Sequence, residues 1–315
     1  MSDFSSARWQ TYLDRDLRIS GSVLIKGKKG KIKRKNVDSK RGVAIIPSVS
    51  VELVPNNSCH PQYDSEKHFN AIIGKTKLKT YIASLLKCKE ENIIDWDLQF
   101  DDAQPASTNN NIIYSSRLST FAPAFASFNA FLDAKQDTKT VQMFAAFGHS
   151  GLYRTSASSD FLNSLFSTIF SGKNIDEVKS KSLIIATFGF EGHHPRFIGL
   201  SDSMVGYLGK GPVLYLSFRR NFQTDPIGEE IIQENRMKSQ IIQKQYQKDL
   251  QFFGVTISNP LSLNMNIRTI DFGFPVLSTG SIRETAVYKD IFAFYNAINS
   301  LYTDTEEIQE TLEVS

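Results

Sequence analysis

Hydrophobic and polar residues alternate in short runs over the first third of the chain, with glycine or proline between the runs. Residues 22–25 and 49–53 combine β-branched and other apolar side chains in the manner of half-buried strands. Residues 93–100 alternate with the same period of two. Residues 78–86 instead carry apolar side chains three and four positions apart, which is typical of an amphipathic helix. The pattern predicts a small β-rich domain with one helix.

Residues 101–111 are rich in Asp, Ser, Thr, Asn and Pro, a composition that disfavours regular structure. We therefore expect a boundary there between two domains, residues 1–110 and residues 111–315. Helical and strand-like patterns alternate in the second domain. The predicted helices are residues 118–135, 159–170, 229–252 and 281–302, and the predicted strands are residues 140–147, 182–188, 212–218 and 267–272. Such alternation predicts an α/β domain with a largely parallel sheet.

Charge is nearly balanced, with 36 basic and 33 acidic side chains, which argues against a surface built for nucleic acid. One dense basic run begins at Lys26 and ends at Lys35. It is either an anion or nucleic-acid binding module or the solvated tip of a hairpin, and we favour the hairpin tip because such tips are usually polar. Cys59 and Cys88 match neither a disulfide framework nor a zinc knuckle, so we expect a reducing compartment.

Targeting and membrane signals are not recognisable in the sequence. The polar N-terminus lacks the apolar core of a signal peptide, and no stretch of about eighteen uninterrupted apolar residues follows. We expect a cytoplasmic protein with no membrane association.

Familiar catalytic motifs are also missing. No glycine-rich phosphate loop or strand-turn-helix serine elbow occurs. None of the five histidines forms a metal-binding pair on one helical face. The adjacent His193 and His194 point to different sides of an extended chain, and a hydrogen-bonded structural histidine is the commoner role.

An ordered series of short segments gives the chain a family resemblance across nearly its whole length. The segments are Trp9 to Asp16, Ile46-Pro47-Ser48, Asp95 to Ala106, Tyr114 to Leu118, His194-Pro195, Gly211-Pro212-Val213, Thr269 to Gly273 and Ser281-Ile282-Arg283-Glu284. In this series the chain resembles the zinc aspartyl aminopeptidases of peptidase family M18 and their vacuolar yeast relatives. The resemblance implies a three-layer α/β/α peptidase-like domain with an inserted, smaller β-rich dimerisation domain. It also leads us to expect that the N-terminal segment of the family, which supplies one histidine ligand, is missing.

Family members bind two zinc ions through a bridging carboxylate and use a glutamate as general base. At the positions that match these residues the chain has side chains of other kinds, namely Ser119, Ser150, Gly151, Phe188 and Gly280. A hydroxyl, a phenyl ring and a glycine cannot replace carboxylate or imidazole ligands. We therefore expect no zinc cofactor here, in contrast to active members of the family.

Three further residues correspond to the family's substrate pocket, namely Glu191, His194 and Tyr215. Tyr215 stands where the family carries a lysine suited to an acidic substrate side chain, so the substrate side has also diverged. The favoured interpretation is a catalytically inactive homologue with an assembly, scaffold or regulatory role. The resemblance implies a homo-oligomer or a mixed oligomer with an intact M18 paralogue, in the cytoplasm and, as for the yeast relatives, delivered to the vacuole by an autophagy-type route.

Two alternatives remain open. The first is an active metalloaminopeptidase that removes N-terminal acidic residues, with a relocated site around His149, His193, His194, Glu191 and Asp202. Its distinguishing sign is convergence of these side chains in one cleft. The second is the anion or nucleic-acid module, which requires the basic run to join other basic residues on one face.

Overall fold

Two units make up the chain in a computed structural model. The structure describes residues 8–27, 30–54, 61–64, 67–135, 139–148, 157, 159–197, 205–217, 222–234, 241–247, 256–304, 308 and 311–312. Unit 1 contains the described residues up to Ser107 together with Ser281–Arg283. Unit 2 contains Thr108–Gly280 and the residues from Glu284 onward.

Unit 1 is built on a three-stranded antiparallel sheet with the order β2-β1-β3. Its elements are β1 (Leu17–Lys26), β2 (Ile32–Asp38), α1 (Leu78–Leu86) and β3 (Ile93–Asp102), with short 3-10 helices at Trp9–Tyr12, Val51–Leu53 and Glu90–Asn92. Val23 and Ile82 are fully buried between the sheet and α1. Burial of these side chains is the main stabilising contribution, because apolar area removed from water favours folding.

The basic run belongs to a hairpin, since Lys26 at the end of β1 pairs with Ile32 at the start of β2. Lys33 and Lys35 share one face of β2, and Arg34 lies on the other because strand side chains alternate. The strand expected at residues 49–53 is wrong: Val51–Leu53 is a 3-10 turn closed by Leu53 N–H on the Ser50 carbonyl at 3.0 Å. No sheet of the described residues includes this segment.

Unit 2 contains two sheets and six helices in its described part. The elements are β4 (Ser107–Asn109), β5 (Ile112–Ser115), α2 (Leu118–Asp133), α3 (Phe161–Ile169), α4 (Ile175–Ser180), β6 (Leu183–Glu191), β7 (Val213–Ser217), α5 (Pro226–Glu234), β8 (Gln243–Gln247), α6 (Ser258–Met265), β9 (Arg268–Val276), β10 (Glu284–Val287) and α7 (Tyr288–Thr303). The four-stranded sheet has the order β6-β9-β7-β8, and the smaller sheet has the order β10-β5-β4.

Helices cover both faces of the larger sheet, which gives a three-layer α/β/α arrangement. The even-numbered residues of β9 from Ile270 to Val276 pack in one cluster with α2, α5 and α7. Phe166 of α3 and Met265 of α6 form a second cluster with Ile184 of β6 on the opposite face. The sheet is mixed, because β6 and β9 are parallel, β7 and β8 are parallel, and β7 runs antiparallel to β9. Two of the three strand pairings are parallel, as the alternating pattern predicts, and the antiparallel pairing of β7 with β9 makes the sheet mixed.

Three predicted elements of the second domain differ from the structure. Residues 141–147 form neither helix nor strand, because no sheet of the described residues supplies a pairing partner. The predicted helix 229–252 contains the strand β8, which pairs in parallel with β7. The predicted helix 281–302 begins with β10, and α7 starts only at Tyr288. Pairing with distant strands overrides the local pattern in the last two cases.

Candidate functional site

Two of the residues that the resemblance matches to zinc-ligand positions, Ser119 and Gly280, meet at one buried carboxylate, that of Glu284. The backbone N–H of Ser119 donates to Glu284 Oε2 at 2.7 Å, and the Ser119 hydroxyl donates to Oε1 at 2.9 Å. The N–H of Gly280 also donates to Oε1, at 2.8 Å. Both oxygens of Glu284 therefore accept hydrogen bonds from Ser119 and Gly280, which the sequence resemblance matches to zinc-ligand positions of the family.

Glu284 also caps α2. Arg117, the residue before the helix, is in the left-handed region and makes no side-chain capping bond. The carboxylate of Glu284 instead accepts the N–H of Ser119 in the first turn, where no backbone carbonyl of the helix is available and where negative charge is favoured by the helix dipole. Burial raises the pKa of Glu284, the hydrogen bonds from Ser119 and Gly280 oppose that rise, and the charge of Glu191 adds to it.

A second carboxylate, Glu191 at the end of β6, holds the turn that precedes Gly280. Its Oε1 accepts the N–H of Ser278 at 3.1 Å, and its Oε2 accepts the N–H of Thr279 at 2.8 Å. Ser278 has φ 62° and Gly280 has φ 78°, so the turn passes twice through the left-handed region. Glu191 and Glu284 together bind three successive amides of this turn, which leaves Glu191 a structural role in this geometry.

The Phe188 ring lies on the other face of the sheet. Its neighbour Gly189 faces α2, since a side chain there would meet the Ser119 Cα at 2.9 Å. Phe188 points the opposite way, where its ring stacks on Tyr215 at 5.0 Å and on Phe222 at 5.9 Å between centroids. The structure therefore brings Ser119 and Gly280 together and does not bring Phe188 to them.

Tyr215 and His194 are separated from the Glu284 cluster. Tyr215 is fully buried, its hydroxyl donates to the Phe274 carbonyl at 3.1 Å, and burial raises its pKa. His194 packs edge-on against Phe197 at 4.8 Å, and its Nδ1 accepts the Arg196 N–H at 3.2 Å. A buried tyrosine that is hydrogen-bonded to the backbone is packed as a core residue.

Ser150 and Gly151, which the resemblance matches to the family's general base and a neighbouring ligand, lie outside the described residues, as do His149 and Asp202. Of the relocated-site residues, only Glu191, His193 and His194 are described. The His193 ring stacks on Tyr207 at 4.5 Å, while Glu191 binds the turn at Ser278. These three side chains have separate partners.

A dinuclear zinc centre does not fit the residues that the structure describes. Within the described ranges, no group of three or more His, Cys, Asp or Glu side chains is placed to hold a metal ion. The Ser119 hydroxyl is engaged with Glu284, and Gly280 contributes only its backbone.

Glu284 and Glu191 are the residues whose roles the sequence did not reveal. In the sequence, Glu284 stands out only as part of the Ser-Ile-Arg-Glu segment, and Glu191 only as a pocket equivalent and a candidate for a relocated site. The sequence does show that each of these glutamates stands next to apolar or glycine-rich residues, which indicates a partly buried carboxylate. A buried carboxylate requires hydrogen-bond donors. The sequence pattern does not identify the donors.

Fold and motifs together define the class of the protein. The family model described as aminopeptidase I zinc metalloprotease (M18) matches residues 1–302, and the chain belongs to this family. Within the described ranges, no helix combines the length and apolar character needed to cross a membrane.

Individual relatives agree with this assignment. The chain is 29% identical over 315 residues to a probable M18 family aminopeptidase 2 of Clostridium acetobutylicum, which covers 91% of this chain and 72% of the relative. A cryo-EM structure of the Ape4 and Nbr1 complex has a TM-score of 0.89 at 21% identity and covers 99% of this chain and 67% of that one. The S. cerevisiae mApe1 dodecamer has a TM-score of 0.78 at 21% identity and covers 97% and 72%. The two solved structures show a shared fold.

Proposed function

We propose that this protein is a catalytically inactive M18 homologue that acts as an assembly, scaffold or regulatory protein. The observation that carries the proposal is the Glu284 cluster. Ser119 and Gly280 occupy positions of zinc ligands in the resemblance, and their polar groups are bound to a carboxylate of the same chain. The site has become a hydrogen-bonded structural element that links α2 to the turn before β10.

Retention of the scaffold supports the same proposal. The apolar residues of β9 and α2 form a continuous core with α7 although the ligand side chains are replaced. A metal centre that loses several ligands loses several kcal/mol of binding free energy per contact, so a partly occupied site is not a stable intermediate. Selection for folding and binding, without selection for hydrolysis, accounts for both observations.

Oligomer formation is part of the proposal. One solved neighbour is a dodecamer and another is a complex with Nbr1, and the printed descriptions apply to those proteins. We propose that this chain forms a homo-oligomer or a mixed oligomer with an intact M18 paralogue, in the cytoplasm with delivery to the vacuole. Unit 1, with its separate sheet and core, supplies a β-rich domain of the kind that the resemblance assigns to dimer contacts.

An active aminopeptidase is the second candidate, because the chain belongs to a family of such enzymes. Its activity would require ligands from residues outside the described ranges, combined with Glu191 or His194. The anion-binding module has less support. Lys33 and Lys35 lie on one face of β2 and Arg34 lies on the other, which divides the positive charge between two surfaces.

Metal content and hydrolysis test the proposal directly. We expect purified protein to contain far less than one zinc per chain by mass spectrometry. We also expect no release of N-terminal aspartate or glutamate from peptides, with or without added zinc. The Clostridium acetobutylicum relative, assayed in parallel, is the positive control. Stoichiometric zinc together with chelator-sensitive hydrolysis would refute the proposal.

A further inference from the structure

The chain passes between the two units at three peptide bonds within the described residues. These bonds follow Ser107, Gly280 and Arg283. The short segment Ser281–Arg283, which we call the crossing segment, therefore belongs to unit 1, while the residues on either side of it belong to unit 2. Both flanking residues take part in the Glu284 cluster, because the Gly280 N–H donates to Glu284 Oε1 at 2.8 Å. Backbone continuity thus joins this cluster directly to unit 1.

Unit 1 holds the crossing segment through an apolar side chain and a backbone amide. The side chain of Ile282 is buried and packs with Leu17 and Ile46. The N–H of Ile282 donates to Thr11 Oγ1 at 2.9 Å. Apolar burial and this hydrogen bond together fix the position of the crossing segment within unit 1.

Arg283 adds a charged attachment to the same unit. Its guanidinium pairs with the Asp102 carboxylate at 3.2 Å, and it donates to the Pro105 carbonyl and the Ser107 hydroxyl, each at 3.0 Å. Because the Asp102 side chain is only 3% exposed, loss of this cation would leave its buried charge with Arg15 alone, which is strongly unfavourable. Ser107 directly precedes the first passage into unit 2, so one guanidinium connects that passage with the other two.

The hydrogen bonds of the Glu284 cluster depend on the conformation of the crossing segment. The donor at Gly280 and the acceptor at Glu284 are the two ends of a stretch of five residues whose middle is held in unit 1. The same carboxylate accepts the N–H of Ser119 at 2.7 Å and the hydroxyl of Ser119 at 2.9 Å. A change in the crossing segment therefore alters the hydrogen bonds that hold the first turn of α2.

We infer that the crossing segment couples the two units energetically, so that release of Arg283 from Asp102 in unit 1 opens the Glu284 cluster in unit 2. Energetic coupling between two sites is reciprocal, so opening of the cluster also loosens the crossing segment in unit 1. A partner that binds unit 1 in the form with Arg283 held would consequently stabilise the first turn of α2. The inference does not rest on the proposed loss of catalysis, because it uses only contacts within the chain.

Hydrogen exchange of the full chain, resolved to single amides, tests the coupling. Asp102→Asn removes the charge that holds Arg283 and keeps a side chain of the same shape. We expect the amides of Ser119 and Gly280, which lie in the other unit, to exchange at least about 5-fold faster, the lower end for coupled sites.

Two other amides of unit 2 serve as the internal reference. The N–H groups of Gly209 and Gly211 donate to the buried carboxylate of Asp290 at 2.6 Å and 2.8 Å, so they also report on amides bound by a buried acid. We expect their exchange to stay within about 2-fold of wild type, because the coupling acts through the crossing segment. Acceleration of the reference amides to the same extent would reduce the effect to a general loss of stability and would overturn the inference.

The neighbouring ion pair of unit 1 supplies the matched control variant. Arg18 pairs with Asp101 at 2.6 Å on the same two strands, and neither residue belongs to the crossing segment. We expect Asp101→Asn to leave the exchange of the Ser119 amide unchanged. Equal acceleration by Asp101→Asn and Asp102→Asn would contradict a route through Arg283.

The reciprocal measurement uses a variant in the other unit, so it does not depend on how well Asp102→Asn folds. We expect Glu284→Gln to accelerate exchange of the Ile282 amide by at least about 5-fold. The reference is the amide of Ile19, which donates to Ser39 Oγ at 3.0 Å in the same unit, much as Ile282 donates to a threonine hydroxyl. Unchanged exchange of Ile282 relative to Ile19 would also overturn the inference.

Discussion

Asp271 in β9 is a buried carboxyl group whose ionisation should be measurable as a pH-dependent stability. The side chain is fully buried, and its Oδ2 accepts the Gln223 N–H at 2.5 Å. Its Oδ1 has no hydrogen-bond partner in the described part of the chain. Burial raises the pKa of Asp271 from 3.8 to about 7, while hydrogen bonds from Ser258, Gln223 and Thr224 oppose the rise.

The sign of the effect follows from the two pKa values. In the unfolded chain Asp271 loses its proton near pH 3.8, whereas in the folded protein it keeps the proton until about pH 7. Between these values ionisation stabilises only the unfolded chain, so the free energy of unfolding falls as pH rises and becomes constant above the folded pKa. At about 1.4 kcal/mol per pKa unit, the full cost is about 4 kcal/mol, of which about 2 to 3 kcal/mol falls between pH 5 and pH 8.

Asp271→Asn removes this ionisation and keeps a side chain of the same shape. The quantity to measure is the free energy of unfolding of the variant minus that of the wild type, obtained by urea unfolding with circular dichroism. We expect this difference to rise by about 2 to 3 kcal/mol from pH 5 to pH 8. Any pH-independent effect of the amide cancels in this difference. Asp176→Asn, at an exposed position in α4, is the control. A relative stability of Asp271→Asn that does not change with pH would refute the reasoning.

Two further substitutions test the packing around the former site. Phe188→Asp should lower the free energy of unfolding by about 2 to 5 kcal/mol, because it places a charge beside the buried Tyr215. Thermal unfolding checks this against Phe161→Asp at a half-exposed position, and equal melting temperatures would contradict it. Glu284→Ala should cost about 2 to 4 kcal/mol and accelerate hydrogen exchange at the start of α2, because it leaves Ser119 without its acceptor. Unchanged exchange protection would show that Glu284 does not cap the helix.

The local pattern of apolar residues predicts an element correctly where that element buries one of its own faces. The helix predicted at residues 78–86 matches Leu78–Leu86, and the helix predicted at residues 118–135 matches Leu118–Asp133 within two residues. The spacing of apolar residues along the sequence shows directly which face of such a helix is buried. The strand β8 was missed because Gln243–Gln247 has no strand pattern of its own and forms by pairing with Val213–Ser217. Strand formation of that kind depends on residues distant in the chain.

At the candidate site, too, the sequence predicts features that depend on nearby residues and misses those that depend on distant ones. The Ser-Ile-Arg-Glu segment and the residues near Leu118 carry the resemblance from which Ser119 and Gly280 are predicted to be altered family positions. Sequence could not show that Glu284 joins them, because Ser119 and Glu284 are 165 residues apart. It also could not assign the face of Phe188, since β6 is apolar on both sides and either phase of the strand places a hydrophobic residue against a helix layer.

Unit 1 is assembled from two stretches of chain that the ribosome makes at different times. Asp102 is buried and binds Arg15 at 2.5 Å, and its second cation is Arg283 at 3.2 Å, 181 residues further along the chain. At a synthesis rate of about 5 to 20 residues per second, Arg283 is made about 10 to 40 s after Asp102. During this interval the nascent unit has its sheet strands but lacks Arg283 and the buried Ile282. Completion of the earlier-made unit therefore waits until most of the other unit has been translated.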